Sequence, residues 1–314
     1  MTGALAANRS FFPHTFQPLT TRGLYLRLGV ALSFPLLFSA FRTGPGVVWI
    51  LLTVATGVLV GELVLYFAGG VSIPERSIVT GLAVAALMPL SASVLAIGIA
   101  SVVATLASGI VSGSRRQIWV HPAILGVVVA GVLATPGTVS QLGVTPMLDT
   151  GIEIVVPIIG RTLFEPLGVR VPGDVWFLLL GSVRVDGGTV TAGLLIPMLA
   201  GAWVVYGEDL VLPILPFTLL GSFVLVALVR DVNIIEAITL SEFPLVATIL
   251  VAEPTSRPAS RRGMALFGIL AGALMALLWT LPGVPGPILL GYFFASLYIP
   301  LIDHMIIVMS RKRP

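Results

Sequence analysis

The sequence predicts an all-α, polytopic membrane protein of about ten transmembrane helices, and three observations carry that prediction. Hydrophobic residues make up 57% of the 314 and charged residues only 10%, whereas a soluble domain carries roughly 25% charged residues. Mean hydropathy is +1.07, too apolar for the chain's own polar surface to cover, so lipid is its solvent. Apolar runs of the length a bilayer crossing needs, about 20 residues, recur from residue 23 to residue 309.

The elements follow in order. Residues 1–21 are mixed and polar with no cleavable signal, and read as a cytoplasmic tail. Residues 22–310 form the membrane domain, with expected spans at 23–41, 46–69, 77–90, 92–113, 119–134, 188–206, 210–229, 232–252, 264–281 and 286–309. The third and fifth are short and carry Pro89 and Pro122 at or near their ends. Short, proline-interrupted spans are tolerated where they are buried in protein or line a cavity; plain packing in a helix bundle is the competing reading. Residues 135–187 make a long external loop, longer than a turn between packed helices needs. A weak echo between SIVTGLAVAALMP (77–89) and TVTAGLLIPMLAG (189–201) fits two five-helix halves. The basic tail at 311–314 closes the chain.

Arginines give the orientation. With the N-terminus in the cytoplasm, 11 basic residues fall inside and 5 outside, and Arg27 lies within the first span. That is the direction of the positive-inside rule, and an even helix count returns the C-terminus to the cytoplasm. The expected location is the cell inner (plasma) membrane. The net charge of +3 therefore reflects loops and tails, not a nucleic-acid partner. Arg76 is among the arginines expected in cytoplasmic loops. The absence of cysteine excludes thiolate metal sites, cysteine-held iron–sulfur clusters and disulfides within the chain. No P-loop, dinucleotide glycine fingerprint or zinc motif is present.

Ionisable groups inside spans are functional hypotheses by default, because each is costly in lipid unless paired or hydrated. Glu62 sits mid-span, Glu236 and Glu242 lie on the eighth span, and Glu253 ends it just before Pro254 and a loop with Arg257, Arg261 and Arg262. Asp303 and His304 interrupt the last span. A carboxylate can bind Na⁺ through hard oxygens or pass a proton; the alternative for each is a helix-end or interhelical hydrogen bond. His121 is a lone imidazole beside a proline, a poor metal site, and its pairing with His304 around a haem has little to support it.

These pieces together resemble one family, the NqrB/RnfD membrane subunits, typified by the D subunit of Rnf electron-transport complexes and the B subunit of sodium-pumping NADH:quinone oxidoreductase. VAEPTSRPASRRG, the apolar helix after it and PLIDH are similar to the family's tail, with Glu253 where aspartate is usual. GELVLYFAGG and ERSIVTGLAVAALMPLSA resemble its acid-bearing second helix and the segment that follows, and WVHPAILG its FNPA-x-LG, with His121 in place of asparagine. GSVRVDGGTVTAGLL resembles a G-S-x-G-E-T-S-A-L-A run without its glutamate. The resemblance implies an ion path through Glu62, Glu253 and Asp303. It also implies FMN joined by a phosphoester to a threonine in a motif close to D-x-x-S-G-A-T, loaded by a flavin transferase. The corresponding segment is SQLGVTPMLDTG, which makes Thr145 the covalent FMN candidate, with Gly143 at the motif glycine; Val139, Leu142 and Val144 depart from the motif. The implied partners are the other subunits of an Rnf/Nqr-like complex and the lipid bilayer. The implied function is electron transfer through flavin coupled to translocation of Na⁺ or H⁺. A solute channel or transporter of similar helical plan without redox chemistry is the alternative.

Overall fold

The computed structural model describes residues 21–68, 74–112, 120–133, 189–191, 194–206, 213–232, 234–239, 241–253, 256–281 and 286–311. The loop expected at 135–187, with Thr145 and Gly143, lies outside the described residues, as do the two chain ends.

The chain enters the bundle through α1 (Thr21–Thr43) and α2 (Pro45–Phe67). Gly44 joins them at φ 70°, a left-handed conformation that disfavours a side chain. Pro45 then opens α2 at a position whose N–H has no helical partner anyway. Helix α3 (Pro74–Leu87) ends just before Pro89. At its 14 residues it spans about 21 Å, short of the roughly 30 Å hydrocarbon core. Helices α4 (Val94–Ser112) and α5 (Pro122–Leu133) complete a first group of five.

A break inside a bilayer exposes the last carbonyls of α3, and another part of the chain satisfies them. Residues 189–191 form a short strap against this end, with Thr189 paired to Pro89. Val190 N–H donates to the Met88 carbonyl at 2.9 Å and the Thr191 hydroxyl donates to the Ala86 carbonyl at 2.9 Å. The Ser39 hydroxyl of α1 donates to the Val190 carbonyl at 2.6 Å. The expected span from residue 188 therefore begins as a helix only at Leu195, because its first residues serve α3.

The second group holds α6 (Leu195–Tyr206), α7 (Ile214–Val229), α8 (Ile234–Thr239), α9 (Phe243–Thr248) with a 3₁₀ turn at Leu250–Ala252, α10 (Arg261–Trp279), α11 (Pro287–Ser296) and α12 (Ile299–Arg311). The expected continuous span at 232–252 is thus broken, with Pro244 in the first turn of α9. The span expected at 286–309 is bent by 41° between α11 and α12. Taking α8 with α9, and α11 with α12, the described helices make ten units in the order of the ten expected spans.

Packing repeats between the groups. Helix α2 packs on α4 and α4 on α5; α7 packs on α10 and α10 on α11. Helices α1 and α6 meet across the halves. The broken units occupy the third place in each half: α3 against α1 and α2, α9 against α6 and α7. The sequence echo, by contrast, pairs α3 with the strap and α6, which are not equivalent in the packing.

Small residues set these contacts. A Cβ on Gly57 would lie 2.6 Å from that of Ser101, bringing α2 onto α4, and one on Gly291 would lie 2.6 Å from the Met275 backbone, bringing α11 onto α10. Gly268 and Gly272 meet α7 in the same way, and Gly201 of α6 closes on the Ala31 carbonyl of α1. Pro35, four residues on and lacking an N–H, deprives that carbonyl of its helical donor. Close backbone approach through small residues is how helices associate where lipid leaves little hydrophobic drive between them. Large apolar side chains including Phe41, Trp49, Leu59, Phe67, Trp203 and Phe217 point outward, as a lipid-facing surface requires. By length and composition α1, α2 and α10 can each cross a membrane unaided, and the bent α11–α12 pair makes a fourth span.

Candidate functional site

Three consecutive residues at the start of α3 reach three different elements. Glu75 pairs with Arg22 at 3.1 Å near the surface. The Ser77 hydroxyl donates to Oε1 of Glu62 on α2. Arg76 between them turns inward and is only 3% exposed. The sequence places Arg76 in a cytoplasmic loop as a topology marker; it is in fact buried in the first turn of a broken helix.

Arg76 Nε lies 3.5 Å from Oε1 of Glu253, and Arg76 Nη1 donates to the Ser108 carbonyl of α4 at 3.0 Å. The other Glu253 oxygen, Oε2, is 2.8 Å from His121 Nε2. His121 stands immediately before α5, where its Nδ1 accepts the Ala123 N–H at 3.3 Å. A ring nitrogen that accepts carries no proton, so the neutral imidazole bears its proton on Nε2 and donates it to Glu253. One side chain thereby caps α5 and fixes the carboxylate.

Local chain geometry puts Glu253 there. It follows the 3₁₀ turn in an extended conformation, φ −64° and ψ 118°, which the next residue, Pro254, favours for steric reasons. Its own N–H still donates to the Leu250 carbonyl at 3.2 Å. Turning extended at that point sends the side chain across to α3 and α5. Arg76, His121 and Glu253 are all buried. A buried guanidinium and carboxylate are tolerable only as a paired, hydrogen-bonded set.

The surrounding wall is polar. Tyr292 of α11 is buried with its phenol beside Ser256, in the field of Glu253 and Arg257, and its ring meets Phe267 edge-on at 5.5 Å. The Tyr206 hydroxyl donates to the Thr248 carbonyl at 2.7 Å, tying α6 to α9. Arg257, in the loop before α10, is lowered from its ordinary value by burial, while Tyr206 and Tyr292 act in the opposite sense.

The acids singled out in the sequence fall at graded distances from this cluster. Glu253 is its centre. Glu62 is half-buried and joins through Ser77, the neighbour of Arg76. Asp303 on α12 is half-buried too, and its Oδ1 accepts the Ala259 N–H at 3.3 Å, in the loop that leaves Glu253. Among the described residues no group of three or more histidines and acids is placed to hold a metal. Sequence reasoning did not foresee Arg76 and His121 as the partners of Glu253. The available signal was positional: each stands within two residues of a proline that opens a short helix, where a side chain can point along the bundle axis.

The fold and this cluster define a polytopic helical membrane protein of two packed halves, each with a broken third unit, around a buried ion-paired carboxylate. The chain matches the NQR2, RnfD, RnfE family over residues 9–311 and belongs to it. It is thus a membrane subunit of the Rnf/Nqr class of multisubunit complexes, with other subunits of such a complex as its partners. No curated protein matches it.

Proposed function

We propose that this chain serves an ion-translocating electron-transport complex of the inner membrane, with both termini in the cytoplasm, and that Glu253 is a station on the path of the translocated Na⁺ or H⁺. The observation that supports this reading is the burial of Glu253 between Arg76 and His121 at the end of a broken transmembrane unit. In the resting cluster the guanidinium and carboxylate charges cancel and the imidazole is neutral. A cation or proton arriving at Glu253 makes the cluster positive and weakens the hold of Arg76, which sits in the first turn of α3. Arrival of charge is then felt by a short helix whose opposite end is held by the strap, and Glu62 and Asp303 extend the path through Ser77 and Ala259.

The proposal includes FMN, attached by a flavin transferase at Thr145 with Gly143 beside it, for which the support is family membership and the local sequence. When bound, flavin supplies the redox step that this cysteine-free chain lacks.

Two experiments test the reading. In vesicles containing the whole complex, Glu253→Gln should retain electron transfer but lose most of the ion movement driven by it; undiminished coupling removes Glu253 from the path. In-gel fluorescence after denaturation should show flavin on the wild-type chain co-expressed with a flavin transferase, and none on Thr145→Ala. A wild-type chain without fluorescence overturns the covalent attachment.

A further inference from the structure

Two broken units, one from each half, are tied together at both ends. Helix α3 packs on α1, α2, α4 and α5, whereas α9 packs on α6, α7 and α8, so each is held laterally by its own half. At the start of α3, Arg76 meets Glu253, where the segment that begins with α9 stops. At the end of α3, the Ala86 and Met88 carbonyls take the Thr191 hydroxyl and the Val190 N–H of the strap. The Thr189 side chain hydrogen-bonds in turn with that of Glu242, the residue before α9.

The lengths of the two segments match. Met88 lies 12 residues beyond Arg76, and Glu253 lies 11 beyond Glu242, about 18 Å and 16 Å at helical rise. The start of each segment is tied to the end of the other, so they run antiparallel with their ends in register. The strap does more than stop α3. A stop needs bonds to α3 alone, yet the Val190 carbonyl accepts the Ser39 hydroxyl of α1 at 2.6 Å and Thr189 reaches Glu242. Thr189, Val190 and Thr191 are all buried, where water does not compete for these bonds and breaking one is expensive.

We propose that the strap is a strut that closes α3 and the segment from Glu242 to Glu253 into one frame, so that the two broken units shift together and movement at one end is carried to the other. Hydrogen-bonded helices are stiff along their axes, and rigid elements joined by such ties carry coupling between distant sites. Two routes run from the strap to the Glu253 cluster: along α3 to Arg76, and from Glu242 along α9 to Glu253 itself. A change at Glu253 is therefore not relaxed by α3 alone; the strap and Glu242 move with it. The frame stands on these contacts and not on the ion reading of Glu253.

The test needs neither electron transfer nor ion movement, so its outcome is separate from the coupling proposed for Glu253. The chain has no cysteine, which makes Ser108→Cys a single reporter thiol. Ser108 is buried, and its carbonyl holds Arg76 at the far end of α3 from the strap. The full chain, purified in detergent, is reacted with N-ethylmaleimide, and the labelling rate is followed by mass. Thr191→Val removes the bond to Ala86, and Thr189→Val the one to Glu242. Each should raise the labelling rate about fivefold, as loss of one hydrogen bond does, whereas Thr191→Ser and Thr189→Ser, which keep the hydroxyls, should leave it near the starting value. Ser222→Ala loosens α7 from α10 and should leave it unchanged, since distant sites without shared partners act independently. Unchanged rates in both valine variants overturn the proposal, and so does an equal response to Ser222→Ala, the mark of general loosening. A response to Thr191→Val alone would make the strap a stop for α3 and overturn the frame, as would a response to Thr189→Val alone. If Thr191→Val does not fold, Thr189→Val and its serine rescue decide the matter.

Discussion

Replacing His121 with alanine removes two interactions at once, and their sum can be worked from the structure. The first is the 2.8 Å contact from Nε2 to Glu253. A hydrogen bond to a charged group contributes about 1.5–3 kcal/mol. The second is the cap on α5, in which Nδ1 accepts the Ala123 N–H at 3.3 Å; loss of such a cap costs about 0.5–2 kcal/mol. Together these predict a destabilisation of about 2–5 kcal/mol. Large domains lose about 2–4 °C of Tm per kcal/mol, so His121→Ala should unfold roughly 4–10 °C below the wild type, taking the lower slope for a chain of this size. His121→Asn separates the two contributions. Asparagine is a good cap but is too short to span α5 and Glu253 in the same way, so it should recover about 1 kcal/mol and no more. Arg22→Ala is the control. Its 3.1 Å pair with Glu75 has a largely exposed arginine, and such pairs contribute about 0–1 kcal/mol. The assay is thermal unfolding of the purified chain followed by intrinsic fluorescence. A His121→Ala shift no larger than that of Arg22→Ala would refute the bridging role, and asparagine no better than alanine would refute the cap.

Three further outcomes follow from the same geometry. Arg76→Leu alone should destabilise by about 3–5 kcal/mol, because it removes a paired guanidinium from a buried carboxylate, while Arg76→Leu with Glu253→Leu should cost clearly less than the sum of the single changes; additive unfolding shifts would show that the two charges are not coupled. Gly272→Val should disrupt the α7–α10 contact, since a Cβ there collides with the Leu219 carbonyl and the Ser222 hydroxyl; overpacking of this kind costs about 1–3 kcal/mol or more, and gel filtration and thermal unfolding read it. Tyr206→Phe should lose about 1 kcal/mol, the worth of its hydrogen bond to Thr248, with an unchanged Tm removing that bond from the account.

How much of this was legible in the sequence differs between helices and breaks. The long helices α1, α2 and α10 follow directly from apolar runs bounded by Gly44–Pro45 and by Ser260, whose hydroxyl accepts the Gly263 N–H and caps α10. Apolar length is a local property, and in lipid the backbone has few alternatives to a helix. The breaks were partly visible, since Pro89 and Pro254 stand in the sequence. Which segment would satisfy the exposed carbonyls was not. That Thr189–Thr191 closes the end of α3 depends on contacts spanning about a hundred residues, and no local period encodes it. The strap itself read as the start of a span because its residues are apolar and hydroxyl-bearing, a composition that suits both uses.

The site shows the same division with a different cause. Glu253 was conspicuous because a carboxylate at the end of an apolar run is expensive wherever it is buried. Arg76 was not, because an arginine near a helix start looks like a topology signal until its direction is known. The two readings of an arginine differ by one residue of helical rotation, about 100°: Glu75 faces Arg22 at the surface, while Arg76, next to it, faces Glu253. A charge in a membrane protein is therefore informative in proportion to its partner. Glu253 meets Arg76 of α3 and His121 at the head of α5 and is structurally determined. Glu242, buried as deeply, meets the Thr189 hydroxyl and, among the described residues, no basic side chain. That asymmetry is why the first acid is read through charged partners, and the second through the strap hydroxyl that meets it.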